Sequence, residues 1–138
     1  MYLLDTNVVS ELRKAAKADR SVAAWVEQHD AQCMHISVVS ILEIRLGILA
    51  VQRKDAAQAD VLNSWLSGQV IPAFAGRIIP VDIAVALRCA ELHVPNPRAD
   101  RDALIAATAL VRGLTVVTRN TKDFQPTGVA AYNPWKPL

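Results

Sequence analysis

The apolar positions of this chain fall into two patterns. Short apolar runs without polar alternation, Met1–Leu4 and Leu114–Thr118, predict strands buried on both faces, and Cys33–Ser37 and Val129–Tyr132 read as further short strands. Arg77–Val81 is another strand candidate, held to a sheet edge or a strand end by Pro80. Between them the period is helical. Val8–Ala16 and Val22–His29 predict short helices, the second turning Trp25 and Val26 inward, and Lys54–Leu66 repeats Ala57, Val61, Leu62 and Trp65 at helical spacing. Val38–Leu49 is apolar nearly all round and is expected to pack deeply. Ser67–Gly76, with Pro72, reads as a turn-rich connection. Asp82 then caps a helix through Ala84, Leu87, Ala90 and Leu92, with Cys89 near its buried face. Pro95 and Pro97 end that helix, and Asp100–Arg112 starts another, with acidic residues in its first turn and Gly113 as its stop. Strands alternating with helices imply an α/β fold.

Asp5 follows the first buried run directly. It is therefore expected at the carboxyl end of a central strand, the rim where open α/β sheets bind ligands. The competing reading is that Asp5 and Thr6 only cap the next helix. Glu43 lies among Ile41, Leu42, Ile44 and Leu46, where a carboxylate needs a partner, and Arg45, two positions on, faces elsewhere. Glu43 is either a partly exposed residue on a narrow polar stripe or a group that coordinates metal or water. Asp100 reads as a capping residue. Asp102 begins a helix so rich in Ala and Ile that it must lie close on the sheet, which brings its first turn to the rim of Asp5. The second buried run ends in Arg119-Asn120-Thr121-Lys122-Asp123. Asp5, Glu43, Asp102 and either Asn120 or Asp123 are thus expected on one rim without basic partners, and carboxylates so gathered are relieved by a hard divalent cation. Oxygen-only ligands favour magnesium or manganese over zinc, and His29, His35 and His93 lack metal-ligand spacing.

Composition narrows the partners. With 138 residues, 52% of them hydrophobic and 20% charged, the chain reads as one ordered domain spanning 1–138. Fifteen basic residues against 13 acidic ones leave a net charge of +2, too small to mark a nucleic-acid binder, so the distribution of charge must carry that argument. Arg13, Lys14, Lys17 and Arg20 form a basic run beyond the Asp5 rim, or else only a solvated helix face. Cys33 and Cys89 stand far apart and read as reduced core thiols of a cytoplasmic protein. No apolar stretch approaches the roughly 18 residues of a membrane span.

Five motifs in order, Leu3-Leu-Asp5-Thr-Asn-Val-Val-Ser-Glu, Ser40-Ile-Leu-Glu43-Ile-Arg-Leu-Gly47, Asp102-Ala-Leu-Ile-Ala-Ala-Thr108, Val117-Thr-Arg-Asn120-Thr-Lys-Asp123-Phe and Asn133-Pro-Trp135, resemble the PIN-domain ribonucleases. Within that family the resemblance is to the VapC and FitB type of toxin from bacterial toxin-antitoxin pairs, and it covers essentially the whole chain. It implies a flavodoxin-like parallel sheet of roughly four to five strands flanked by helices. It implies Asp5 and Asp102 as metal ligands, Glu43 acting mostly through water, and Asn7 and Thr118 holding the network in place. At the fourth acidic position the chain departs from the FitB-like pattern, because Asn120 stands where an aspartate can stand; either Asn120 serves as a neutral group or Asp123 takes over the charge. The implied activity is endoribonucleolytic, with Mg2+ or Mn2+ activating water for phosphodiester hydrolysis and no covalent intermediate. Arg13, Lys14, Lys17, Arg98, Arg101, Arg119 and Lys122 are candidates to hold RNA phosphates. The implied partners are a small cognate antitoxin and a second copy of the chain, in a homodimer or higher oligomer, with Trp25, Trp65 and Trp135 as candidate contacts.

Two other classes compete. An aspartate after the first strand also marks haloacid-dehalogenase-like phosphatases and response-regulator receivers. The first want a second acid two residues on, where Asn7 stands; the second want an acidic pair before the aspartate, where Tyr2-Leu-Leu-Asp5 offers one acid. A non-catalytic interaction domain would keep the rim only as a relic.

Overall fold

The computed structural model describes residues 1–136. Five strands form one sheet in the order β3-β2-β1-β4-β5, and every pair is parallel. The first apolar run is the central strand β1 (Tyr2–Leu4), flanked by β2 (Met34–Ser37) and β4 (Thr115–Val117). β3 (Ile78–Ile79) is one edge and ends just before Pro80, which has no N–H to offer a ladder; β5 (Ala131–Tyr132) is the other edge.

Parallel strands require crossovers, and the intervening helices supply them. α1 (Thr6–Leu12) and α2 (Arg20–Glu27) connect β1 to β2, and α3 (Val38–Gln52), α4 (Ala56–Trp65) and α5 (Ile71–Ala73) connect β2 to β3. α6 (Ile83–Leu92) and α7 (Asp100–Arg112) lead to β4, and α8 (Thr121–Phe124) leads to β5. The absence of polar alternation in β1 and β4 now has its cause, because each has a core on both faces. Leu3 and Val116 are buried with Val85, Cys89, Ala106 and Phe124 on one side, and Leu4 and Val117 with Val8, Val22, Trp25 and Ile44 on the other. Each such aliphatic side chain contributes about 1.5 to 3 kcal/mol by leaving water. The sheet therefore holds the residues that follow β1 and β4 on a rigid rim.

Five local expectations are corrected. α3 is not buried all round: Val39, Ser40, Ile44 and Ile48 face the core, while Val38, Leu42, Leu46 and Leu49 are exposed along the opposite stripe. Packing against one sheet covers only one face of a helix, whatever its composition. Ser67–Gly76 is largely helical, a π-turn over Leu66–Val70 running into α5, and Pro72 fits because the start of a helix needs no N–H from it. α6 buries Val85, Cys89 and Leu92 and leaves Ala84 and Leu87 exposed, a face shifted from the one expected. The first helix begins at Thr6 and ends at Leu12, with a separate 3₁₀ turn over Ala15–Lys17; Cys33 is half-buried and only Cys89 is a core thiol.

The stop at Gly113 gives a simple prediction. Its φ of 67° lies in the left-handed region, and an added Cβ would meet nothing within 4 Å, so Gly113→Ala carries backbone strain without a clash. It should destabilise by about 1 to 2 kcal/mol in urea melts. Gly47, inside α3 with the same open surroundings, should respond with the opposite sign, gaining up to about 1 kcal/mol as Ala. Equal effects at the two positions would contradict the backbone argument.

Candidate active site

The carboxyl ends of β1 and β4 meet at adjacent register, Leu4 opposite Val117, so Asp5 and Thr118 leave the sheet side by side. Asp5 donates its own N–H to the Val117 carbonyl at 2.9 Å and is only 6% exposed. Its Oδ1 accepts from the Thr6 N–H at 2.8 Å, and its Oδ2 accepts from the Thr118 hydroxyl at 2.8 Å and the Asn7 amide at 3.4 Å. Asn7 is oriented in turn, its Oδ1 accepting from the Arg119 N–H at 3.2 Å, and Thr118 Oγ1 accepts from the Asn120 N–H at 3.1 Å. Asp5 does cap α1, as the simpler reading required, but a cap uses one carboxylate oxygen. The second oxygen is held by a network that spans the two strand ends.

Glu43 comes to this rim from α3, because Ser37 ends β2 and caps that helix, whose second turn then faces α1. Its Oε1 accepts from the Thr6 hydroxyl at 2.7 Å, and Ser40 Oγ lies 3.0 Å from the same hydroxyl. A hydroxyl carries one proton, so Thr6 donates to Glu43 and accepts from Ser40. Glu43 Oε2 lies 3.4 Å from Arg101 Nε. The expectation that the carboxylates gather without a basic partner is thereby corrected: the first turn of α7 brings in an arginine together with Asp102. Thr6, Ser40 and the Arg101 pair were missed as a group. Ser40 was detectable as a polar residue one helical turn before Glu43 in an otherwise apolar helix.

Asp102 is half-buried and lines a cleft of about 540 Å³ with Glu43, Ala99, Asp100 and Arg101. A smaller cleft of about 260 Å³ is lined by Asp102, Arg98, Lys122 and Asp123 among others. Burial, then the charges of Asp123 and Glu43, push the Asp102 carboxyl up from its ordinary value, against the opposing pull of Arg101. Asp5 is pushed up to about 6, first by burial and further by Glu43 and Asp102, although its hydrogen bonds from Thr118 and Thr6 oppose the shift. The carboxylates thus share one field. They do not share one point: among the described residues no three His, Cys, Asp or Glu side chains stand as a finished metal cage. Asn120 is exposed at the start of α8 and makes no side-chain cap bond.

The basic candidates divide. Arg101 and Lys122 line the two clefts beside Asp102. Arg119 lies over the Trp135 ring at 5.1 Å, next to Asn7. Arg98 also borders the smaller cleft, but its Nε donates to the Leu92 carbonyl at 2.7 Å and its Nη2 to Pro126 at 3.2 Å, which commits it to holding the loop before α7. Arg13 and Lys14 are carried to the far end of α1, where Arg13 lies over Trp65 at 6.0 Å and Lys14 pairs with Glu11 at 2.9 Å. Lys17 ends the 3₁₀ turn beyond them. Asp100 lies 3.6 Å from His93 and makes no cap bond, because Ala99 is the capping residue of α7.

A family profile described as PIN domain matches residues 2–128. The chain is 35% identical to a VapC ribonuclease, Y4jK, of Sinorhizobium fredii, over 99% of each chain. It is 36% identical to Toxin FitB of Neisseria gonorrhoeae, over 98% of this chain and 99% of that one. A solved structure of FitAB bound to a DNA fragment superimposes with a TM-score of 0.89 at 34% identity, covering 100% of this chain and 98% of the other.

Proposed function

This chain belongs to the PIN-domain family, and on that premise we propose that it is an endoribonuclease dependent on Mg2+ or Mn2+ and the toxin of a toxin-antitoxin pair. The observation that carries the reading is Asp5: a buried carboxylate with both oxygens fixed and no cationic partner among the described residues, in the field of Glu43 and Asp102. Such a group is costly unless something positive joins it.

The donor set suits a hard ion, since it is made of oxygens alone. Asp5 and Asp102 would hold the ion, with Glu43 acting through water. Because the side chains do not close around one point, rotation of the half-buried Asp102 side chain would bring its carboxylate toward Asp5 and Glu43. Asp123 would fill the fourth position, since its charge acts on Asp102 and it borders the same cleft; Asn120 supplies its backbone N–H to Thr118. Held by Asp5 and Asp102, a divalent ion would supply activation of water and stabilisation of the charge on the leaving oxygen of the phosphodiester. Asn7 and Thr118 keep Asp5 oriented, and Arg101, Lys122 and Arg119 offer phosphate donors around the rim. The aspartyl-phosphate alternative gains nothing from the structure, because Asn7 is committed to Asp5, Thr118 and Arg119 and both Asp5 oxygens accept hydrogen bonds.

Partner binding follows the same premise: a small antitoxin and a second copy of the chain. The exposed apolar stripe of α3, with Ile83 and Leu87 of α6, supports association. Trp25 belongs to the core, and Trp65 and Trp135 are half-buried. No helix among the described residues is long and apolar enough to cross a membrane.

The test is cleavage of a structured RNA panel by purified protein. Activity should vanish in excess chelator and return with magnesium or manganese. Cleavage that persists in chelator would defeat the metal reading, and no cleavage under any condition would favour an interaction domain.

A further inference from the structure

We propose that Arg101 is a placeholder cation: it pairs with Glu43 while the rim is metal-free, and when a divalent ion enters it is released to hold a phosphate of the RNA. This deepens the nuclease reading and rests on it.

Glu43 is held from two sides. Thr6 fixes Oε1 at 2.7 Å, so the carboxylate is anchored to the residue after Asp5, and Oε2 is the oxygen left outside that bond in a residue that lines the cleft. There it meets Arg101 Nε at 3.4 Å. Among the described residues Arg101 is the one basic side chain within ion-pair distance of Asp5, Glu43, Asp102 or Asp123. It also neighbours Asp102 in the chain, in the first turn of α7. A guanidinium is the counter-charge this rim possesses by itself.

The pair is built to be given up. Arg101 is 51% exposed and reaches Glu43 through one nitrogen, without the two parallel bonds of a forked arginine-carboxylate pair. Exposed pairs of this kind are weak, and a divalent ion beside Glu43 repels the guanidinium that the carboxylate had attracted. Once released, Arg101 keeps its full set of N–H donors, remains in the cleft lined by Glu43 and Asp102, and matches the geometry of a phosphate. Metal entry and RNA binding are then coupled: the ion frees the group that grips the substrate, and bound RNA withdraws the group that competes with the ion.

The substitution Arg101→Gln separates the two roles, because it should move two affinities in opposite directions. In calorimetry without RNA, the variant should bind Mn2+ roughly three- to tenfold more tightly than the parent. At saturating Mn2+, its KM for a fluorescent single-stranded RNA should rise roughly three- to tenfold, with the larger change in KM and not in kcat. Arg101→Lys, which keeps the charge, should hold Mn2+ affinity within about twofold of the parent. Arg88→Gln removes the same charge from α6, where Arg88 pairs with Glu91, and should change neither affinity. Unchanged or weaker Mn2+ binding in Arg101→Gln, an unchanged KM, or equal tightening in Arg88→Gln would overturn the proposal. A parent that binds Mn2+ and cleaves RNA beside an indistinguishable Arg101→Gln overturns the placeholder alone; a parent that does neither overturns the nuclease reading as well.

Discussion

Asp5→Asn is expected to lower RNA cleavage on the order of a thousandfold or more while leaving the metal-free protein folded. The substitution keeps the shape of the side chain and removes a charge that sits 6% exposed in the field of Glu43 and Asp102. The first consequence is loss of the group proposed to bind the ion most directly. The second concerns stability. Asn can still accept from the Thr6 N–H, but its amide nitrogen replaces the oxygen that accepts from Thr118 and, at 3.4 Å, from Asn7, so the hydroxyl must turn and the long Asn7 contact is lost, at a cost of about 1 kcal/mol. Relief of the buried charge offsets this, and at neutral pH the variant should be as stable as the parent or more stable by on the order of 1 kcal/mol. Added magnesium should stabilise the parent and have a smaller effect on the variant. If Asp5 only capped α1, the outcome would differ, because Asn caps a helix about as well as Asp and activity would survive. Thermal melts with chelator and with magnesium, beside one cleavage assay, separate the two. Full activity in the variant, or a large loss of stability without metal, would refute the carboxylate reading.

The parts of this molecule that were legible in the sequence are those where one physical cause dominates. Leu3-Leu4 and Val116-Val117 read as a doubly covered sheet because nothing but burial on two faces tolerates such runs, and Gly113 read as a stop because its backbone conformation favours glycine. The placement of Asp5 followed from its distance along the chain to the end of β1. What was not legible depended on which face meets which neighbour. The apolar composition of α3 gave no sign of the stripe left open at Leu42 and Leu46, since composition counts apolar residues and the sheet covers only one side of them. On α6 the buried positions Cys89 and Leu92 are those the sequence predicts, but Ala84 and Leu87 are predicted on the same face although Val85 holds it, because helical spacing alone fits either choice. Arg101 illustrates the limit most clearly. It neighbours Asp102 in sequence, yet its partner, Glu43, is brought within reach only by the packing of α7 beside α3.

The metal-free protein should become more stable as the pH falls from 7 to 5, which is opposite to the usual behaviour of proteins held by ionised carboxylates. Asp5 has its folded pKa pushed from 3.8 up to about 6, so the folded state binds the proton more tightly than the unfolded chain does. Stability from this group is therefore complete below the unfolded value and is lost as pH rises through about 6. Between pH 7 and pH 5 the gain is about 1 kcal/mol, or roughly 3 to 5 °C in Tm, and Asp102, also pushed up by burial, acts with the same sign. Glu11 opposes them: Lys14 and the Asp19 N–H hold its carboxyl below the ordinary 4.5, so its contribution is present above that value and is lost on further acidification. The two signs mean that the gain from Asp5 and Asp102 is opposed by Glu11 once the pH falls below its ordinary value. Melts in chelator across pH 4 to 8 should show the rise in the parent and a flatter profile in Asp5→Asn. A parent whose Tm falls steadily from pH 7 to 5, or a variant that keeps the full rise, would show that Asp5 is ionised in the fold by partners other than a metal, and the argument for a divalent ion at this rim would lose its foundation.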